Sequence, residues 1–161
     1  MVKLHSCVKI VLNLVFNDKD EILLIQEAKE HSRGLWFLPA GKGKEGESII
    51  ETGLRETKEE AGIDVEILSL LKIEHVISKV YVKVDATFVD IFRFIVVSKP
   101  ANAEKPRDYE TKDSIQAQWF SIEEVLNGKL QLRTYQVVEL LEYYLKNKNE
   151  LKEINKVYQN F

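Results

Sequence analysis

Glu56, Glu59 and Glu60 fall within five positions of the stretch GLRETKEEAG, Gly53 to Gly62. On a helix they stand at i, i+3 and i+4 and project together, opposite or beside the apolar stripe. Like charges at that spacing repel by a few tenths of a kcal/mol per pair. A solvated face is one reason for such a cluster, but such a face usually mixes lysines among its acids. The sharper reading is a site for a hard divalent cation, which takes oxygen ligands, keeps several waters and is shared with substrate phosphates. Upstream, Gly34, Gly41, Gly43 and Gly46 punctuate HSRGLWFLPAGKGKEGES, and backbone of this kind approaches a phosphate closely. Loop, helix and acids together point to metal-assisted phosphoryl chemistry.

Elements must hold these residues in place. CVKIVLNLVF and EILLIQE read as two strands of a hairpin joined by NDKD. Ser48 to Ala61 reads as a helix, with Ile49, Gly53, Leu54, Thr57 and Ala61 as its packing stripe and Gly62 as its stop. Gly53 inside that helix implies close packing. IDVEILSLLKIEHVIS, VYVKVDATFVDIFRFIVVS and SIQAQWF read as further strands. SIEEVLNG carries a capping signature for a short helix, and Thr134 to Lys146 reads as the last major helix. This order is an α+β sandwich rather than a βαβ alternation.

The chain has 161 residues, 45% hydrophobic and 30% charged, with a formal charge of −3. That describes one domain with one sizeable core. We expect residues 1–147 to form it and residues 148–161 to form a C-terminal extension. Leu151, Ile154, Tyr158 and Phe161 continue the last helix's stripe, packing on the same chain or on a second copy as a homodimer. The mild acidity gives no field for gripping nucleic acid. No apolar run is long enough to span a membrane, so a cytoplasmic location is expected. Cys7, the single cysteine, excludes an internal disulfide and reads as a buried spectator. His5, His31 and His75 show no ligand spacing.

From Gly41 onward the spacing is Gly, five residues, Glu47, seven residues, Arg55-Glu56, two residues, Glu59-Glu60, one residue, Gly62, Ile63. This resembles the signature of the Nudix hydrolases. Thr57 departs from it, standing where a bulkier apolar residue is common. The resemblance implies the Nudix fold, a mixed β-sheet core sandwiched between helices. It also implies hydrolysis of nucleoside diphosphates linked to another group, with Mg²⁺ or Mn²⁺. By position, Glu56, Glu59 and Glu60 would hold the metal, joined by the Ala40 carbonyl, and Glu47 and Arg55 would pair to fix the loop. The base would be Glu56 or Glu60. Asp113 and Glu110 precede SIQAQWF where relatives often place an additional metal or base carboxylate, and of the two Asp113 is the candidate.

GLWFLPAGK, LLIQEAK and SIQAQWF look like the branch that cleaves oxidised guanine nucleotides such as 8-oxo-dGDP. Trp36 or Phe37 would then stack the base, with Gly41 lining the substrate site. Tyr81, eighteen residues after Ile63, resembles a tyrosine of dinucleoside-polyphosphate hydrolases, though cross-strand packing also accounts for it. Ser78 stands where ADP-ribose hydrolases carry proline. ADP-ribose, nucleotide sugars and dinucleoside polyphosphates remain the alternative substrates. A nucleotide-binding module that does not hydrolyse is the alternative from another class.

Overall fold

Strand β1, Ser6–Val15, is the spine of the domain. In a computed structural model of the chain, residues 6–82 and 85–154 are described, with side chains for 7–79 and 88–154. β1 lies inside a mixed four-stranded sheet of order β4-β1-β6-β5. Here β4 is Ala40–Lys42, β5 is Val65–Val82 and β6 is Asp85–Pro100. It pairs antiparallel with β4 and parallel with β6, so that Leu12 lies between Ala40 and Ile95.

Alternation along these strands builds two layers. Leu12, Leu14, Ile95 and Val97 pack with Val137, Leu140 and Leu141 of helix α3, Gln136–Asn147. Val11, Val96 and Ile67 turn to the opposite face and pack with Ile49 of helix α1, Ile49–Ala61. The mixed sheet is therefore sandwiched between helices.

A second, three-stranded sheet has the order β3-β2-β7, with β2 at Glu21–Glu27, β3 at Trp36–Phe37 and β7 at Ser114–Ser121. Helix α2, Ile122–Leu126, follows β7, opened by a capping box of Ser121 and Glu124. The expected β1–β2 hairpin is corrected here. The two strands share one bridge, Phe16 with Ile22, and then part into different sheets. Ile22, Leu23, Leu24 and Ile25 are all fully buried, and β2 meets this by running between β3 and β7. A second correction moves a boundary: Val80 to Val82 belong to β5, which pairs with β6 as far as Val82 opposite Asp85. Lys79 looks like a break in sequence but continues the ribbon.

Helix α1 starts where chemistry dictates. The Ser48 hydroxyl accepts from the Glu51 N–H, and the Glu51 carboxylate accepts from the Ser48 N–H, a reciprocal cap. The helix ends at Gly62 with φ 78°, a left-handed position that suits glycine. A Cβ at Gly53 would stand 2.8 Å from the Ile67 methyl and 3.3 Å from Val11, so glycine there sets how closely α1 lies on the sheet.

Thr57 and Asn13, the polar residues inside apolar patterns, explain each other. The Thr57 hydroxyl donates to the Gly53 carbonyl at 2.8 Å and accepts from the Asn13 amide at 2.9 Å. Ser98 donates to the Asn13 oxygen at 2.6 Å. A threonine in place of an apolar residue thus ties α1 to β1 and β6 through a satisfied buried chain.

Ile154 is buried with Val11, Ile49 and Ile67 of its own chain, and Leu151 packs at the edge of the α3 core. Tyr158 and Phe161 lie outside the described residues. Cys7 is exposed, contrary to the buried thiol expected, because the start of β1 precedes the buried run that begins at Val11. Among the described residues, no helix is long and apolar enough to cross a membrane.

Candidate active site

The three glutamates of α1 do not share one environment. Glu59 is exposed, Glu56 is partly buried and Glu60 is only 6% exposed. Glu60 follows Thr57 by one turn and so falls on the flank of the packing stripe. The expectation of one common projecting face is corrected to a graded set running from solvent into the protein.

Arg55 organises the outer part. Its Nε and Nη2 donate to the two oxygens of Glu47 at 2.7 and 2.9 Å. Its Nη1 donates to Glu56 at 2.6 Å and to Glu59 at 3.2 Å. Its Nη2 also donates to the Lys42 carbonyl at 3.0 Å. One guanidinium thus joins the loop after β4 to the carboxylate edge of α1, using the planar fork that lysine lacks. Arg55 beside it, with the Lys44 N–H, holds the Glu47 carboxyl well below the usual range.

Glu60 is set from the other side. The Ala40 N–H donates to its Oε2 at 2.9 Å. Burial pushes its pKa up to about 8, against the lowering pull of that N–H, with the charges of Glu56 and Glu27 adding to the rise. Gly41 has its own reason: a Cβ there would overlap the Glu56 carboxylate. The glycine admits this side chain against the β4 backbone.

The loop before β7 clamps the end of α1. The Arg107 Nη2 donates to the carbonyls of Glu59 and Glu60 at 2.7 and 2.9 Å and to the Ser114 hydroxyl at 3.0 Å. Cationic donors at a helix C-terminus satisfy its free carbonyls. Asp113 adjoins this clamp, and its N–H donates to the Thr111 hydroxyl. Among the described residues its carboxylate joins none of the glutamate cluster's hydrogen bonds or ion pairs. Glu110 turns away and pairs through both oxygens with Arg33 at 2.9 Å.

On the Leu12 face of the mixed sheet, away from α1, lies a cavity of about 350 Å³ that includes Ala40 and Gly41 in its wall, together with Lys29, Phe37, Arg93 and Arg133. Trp36 is not among its lining residues and packs edge-on against Phe120, with centroids 4.7 Å apart. The Arg133 guanidinium lies over the Phe37 ring at 4.9 Å and donates to Glu27 Oε1 at 2.7 Å. Glu27 is 3% exposed, and among the described residues its Oε2 has no hydrogen-bond partner. Sequence reading missed Glu27, Arg107 and Arg133. Glu27 carried a faint signal, a carboxylate closing the strand whose centre, Ile22 to Ile25, is apolar and buried; Arg107 and Arg133 sit in loops and carried none. The Tyr81 side chain lies outside the described residues, and its backbone stands opposite Ala86.

Among the described residues, no three acidic, histidine or cysteine side chains enclose a ready metal cage. Arg55 and the Ala40 N–H each engage part of the carboxylate set. An oxygen-only donor set of this kind fits a cation that keeps waters and shares phosphate oxygens, not one bound in an all-protein cage.

A mixed sheet between helices, with this glycine-to-glutamate loop and helix packed on it, is the Nudix architecture. The NUDIX domain profile matches residues 8–141, and the chain belongs to that family. It is 35% identical over 135 residues to the 8-oxo-dGDP phosphatase NUDT18 of Mus musculus, covering 83% of this chain and 37% of that one. It is 38% identical over 112 residues to the Homo sapiens protein of the same name, covering 69% and 31%. The chain therefore spans well under half the length of these curated relatives. Among solved structures, a NUDIX hydrolase from Nitrosomonas europaea superposes with a TM-score of 0.69 at 26% identity, covering 89% of this chain and 91% of that one.

Proposed function

We propose that this chain hydrolyses the diphosphate linkage of a nucleoside diphosphate derivative, with oxidised guanine nucleotides such as 8-oxo-dGDP as its substrates. The observation that carries the reading is the Ala40–Gly41 edge. It receives the carboxylates of Glu56 and Glu60 and also walls the adjoining cavity. A substrate lying in that cavity would bring its phosphates to the glutamates. The likeness to relatives named 8-oxo-dGDP phosphatase supports the choice of base.

Glu56, Glu59 and Glu60, with the Ala40 carbonyl, are the groups to hold Mg²⁺ or Mn²⁺. When bound, such an ion neutralises phosphate charge and acidifies water. Arg55 and Glu47 keep Glu56 and Glu59 oriented before substrate arrives. Glu56 or Glu60 is the carboxylate to take the proton from the attacking water. Lys29 and Arg93, both in the cavity wall, are placed to meet the anionic groups of the substrate.

The test is a product screen with Mg²⁺ over 8-oxo-dGDP, 8-oxo-dGTP, ADP-ribose, diadenosine polyphosphates and nucleotide sugars. Preference for 8-oxo-dGDP supports the reading. Preference for ADP-ribose or a dinucleotide keeps the carboxylate helix and overturns the substrate, and no product from any of them overturns the proposal.

A further inference from the structure

Phe37, the aromatic expected to stack a base, does not offer its ring freely. It is 7% exposed, and the Arg133 guanidinium covers it at 4.9 Å. Arg133 keeps 38% of its side chain exposed and lines the cavity. We propose that this guanidinium, laid on Phe37 and anchored by Glu27, is the platform on which the substrate's purine base stacks. The inference rests on the reading of the chain as acting on nucleoside diphosphate derivatives and names the base-recognition element of that site.

Three features make Arg133 a platform rather than a free cation. Its charge is already met by the buried Glu27 carboxylate at 2.7 Å, which weakens it as a phosphate clamp and leaves its flat face for stacking. Its backbone is fixed: the Arg133 N–H donates to the Trp36 carbonyl and the Trp36 N–H to the Gln131 carbonyl, both at 2.9 Å. Pre-ordering of this kind lowers the entropy lost on binding. The cavity also has an apolar wall of Leu12, Val76 and Ile91, suited to a flat heterocycle. A guanidinium plane stacks on an aromatic on one side and a base on the other without strong sequence preference.

The experiment is calorimetric binding, in Mg²⁺, of two non-hydrolysable ligands to the whole chain: guanosine 5′-(α,β-methylene)diphosphate and base-free methylenediphosphonate. In wild type the guanosine ligand binds more tightly. In Arg133→Lys, which keeps the charge and loses the plane, the affinity ratio between the two ligands falls about tenfold. Glu27→Gln, which frees the guanidinium, lowers it in the same direction. A ratio unchanged in Arg133→Lys overturns the platform, as does equal loss of both ligands, which marks an anion clamp. A second readout needs no variant. The Arg133 Nε–H resonance of the wild type shifts upfield with the guanosine ligand, through the ring current of a stacked base, and not with methylenediphosphonate. Absence of that shift overturns the inference. Because binding needs no turnover, an inactive wild type would sink the hydrolase reading and still leave the platform decided here.

Discussion

The two walls that meet at the Ala40–Gly41 edge, the α1 carboxylates on one side and the Arg133 wall of the cavity on the other, solve the problem of charge in opposite ways. On the α1 side, Glu47, Glu56 and Glu59 gather on one guanidinium, Arg55. Glu60 is buried behind them with a raised pKa. On the other side, Arg133 meets a single buried carboxylate, Glu27, and an aromatic face. The first wall carries excess negative charge, which under the proposed function a cation and substrate phosphate would complete. The Arg133–Glu27 pair of the second is close to neutral and pre-ordered. One wall is built to change its charge state with its ligand; the other is built to hold a shape.

The largest effect should come from crowding the first wall. Gly41→Ala drives a methyl into the space of the Glu56 carboxylate, and displacement of about 1 Å at a reacting group costs on the order of a hundredfold in rate. We expect kcat to fall by about that factor on 8-oxo-dGDP, with little change in KM. A variant with full kcat would show that Glu56 does not need to lie against β4.

Arg55→Ala should come next. It frees three carboxylates from their shared partner, and we expect a loss of about 2 kcal/mol in the metal-free protein, below the cost of breaking a fully buried pair. Mg²⁺ should restore part of the melting temperature. Equal destabilisation with and without Mg²⁺ would contradict the view that Arg55 and a cation meet the same negative charge.

Thr57→Val tests what holds the first wall from behind. It leaves the buried Asn13 amide without its acceptor, and an unsatisfied buried group costs about 1–3 kcal/mol. Denaturant unfolding should show that loss, while preference between purine and base-free ligands stays put.

A pH dependence separates the two ends of the first wall. A carboxylate whose folded pKa is raised stabilises below its unfolded value and loses that stabilisation as pH rises through the folded value. Metal-free protein should therefore lose stability as pH rises from 4.5 toward about 8 through Glu60. Glu47, held low by Arg55, acts in the other sense and loses its stabilisation as pH falls below the usual carboxylate range. Glu60→Gln should flatten the upper limb alone, visible in melting temperature across that window. An unchanged upper limb would place the titration elsewhere.

The first wall was legible in sequence because it is local. Glu47 to Gly62 is one loop and one helix, so spacing fixed which groups meet, and the family resemblance added their register. What spacing missed was depth: Glu60 is buried because of what lies on the flank of Thr57, which depends on β4 and the sheet. The second wall was illegible for the opposite reason. Glu27 and Arg133 are 106 residues apart in the chain, and only the stitching of residues 131–133 to β3 brings them together. Trp36 and Phe37 are adjacent and chemically alike, yet strand alternation sends Phe37 to the cavity and Trp36 toward Phe120. The β1–β2 hairpin failed because both runs are apolar enough to be central strands, and each found its own sheet.

The most direct test of the central claim is the rate of 8-oxo-dGDP hydrolysis by wild type and by Glu59→Gln/Glu60→Gln, each with Mg²⁺ and with a chelator. Product is expected from the wild type with Mg²⁺ alone, and a loss of at least about a hundredfold in the double variant. Turnover that survives both the substitutions and the chelator would contradict the assignment of the α1 carboxylates as a metal-dependent hydrolytic centre.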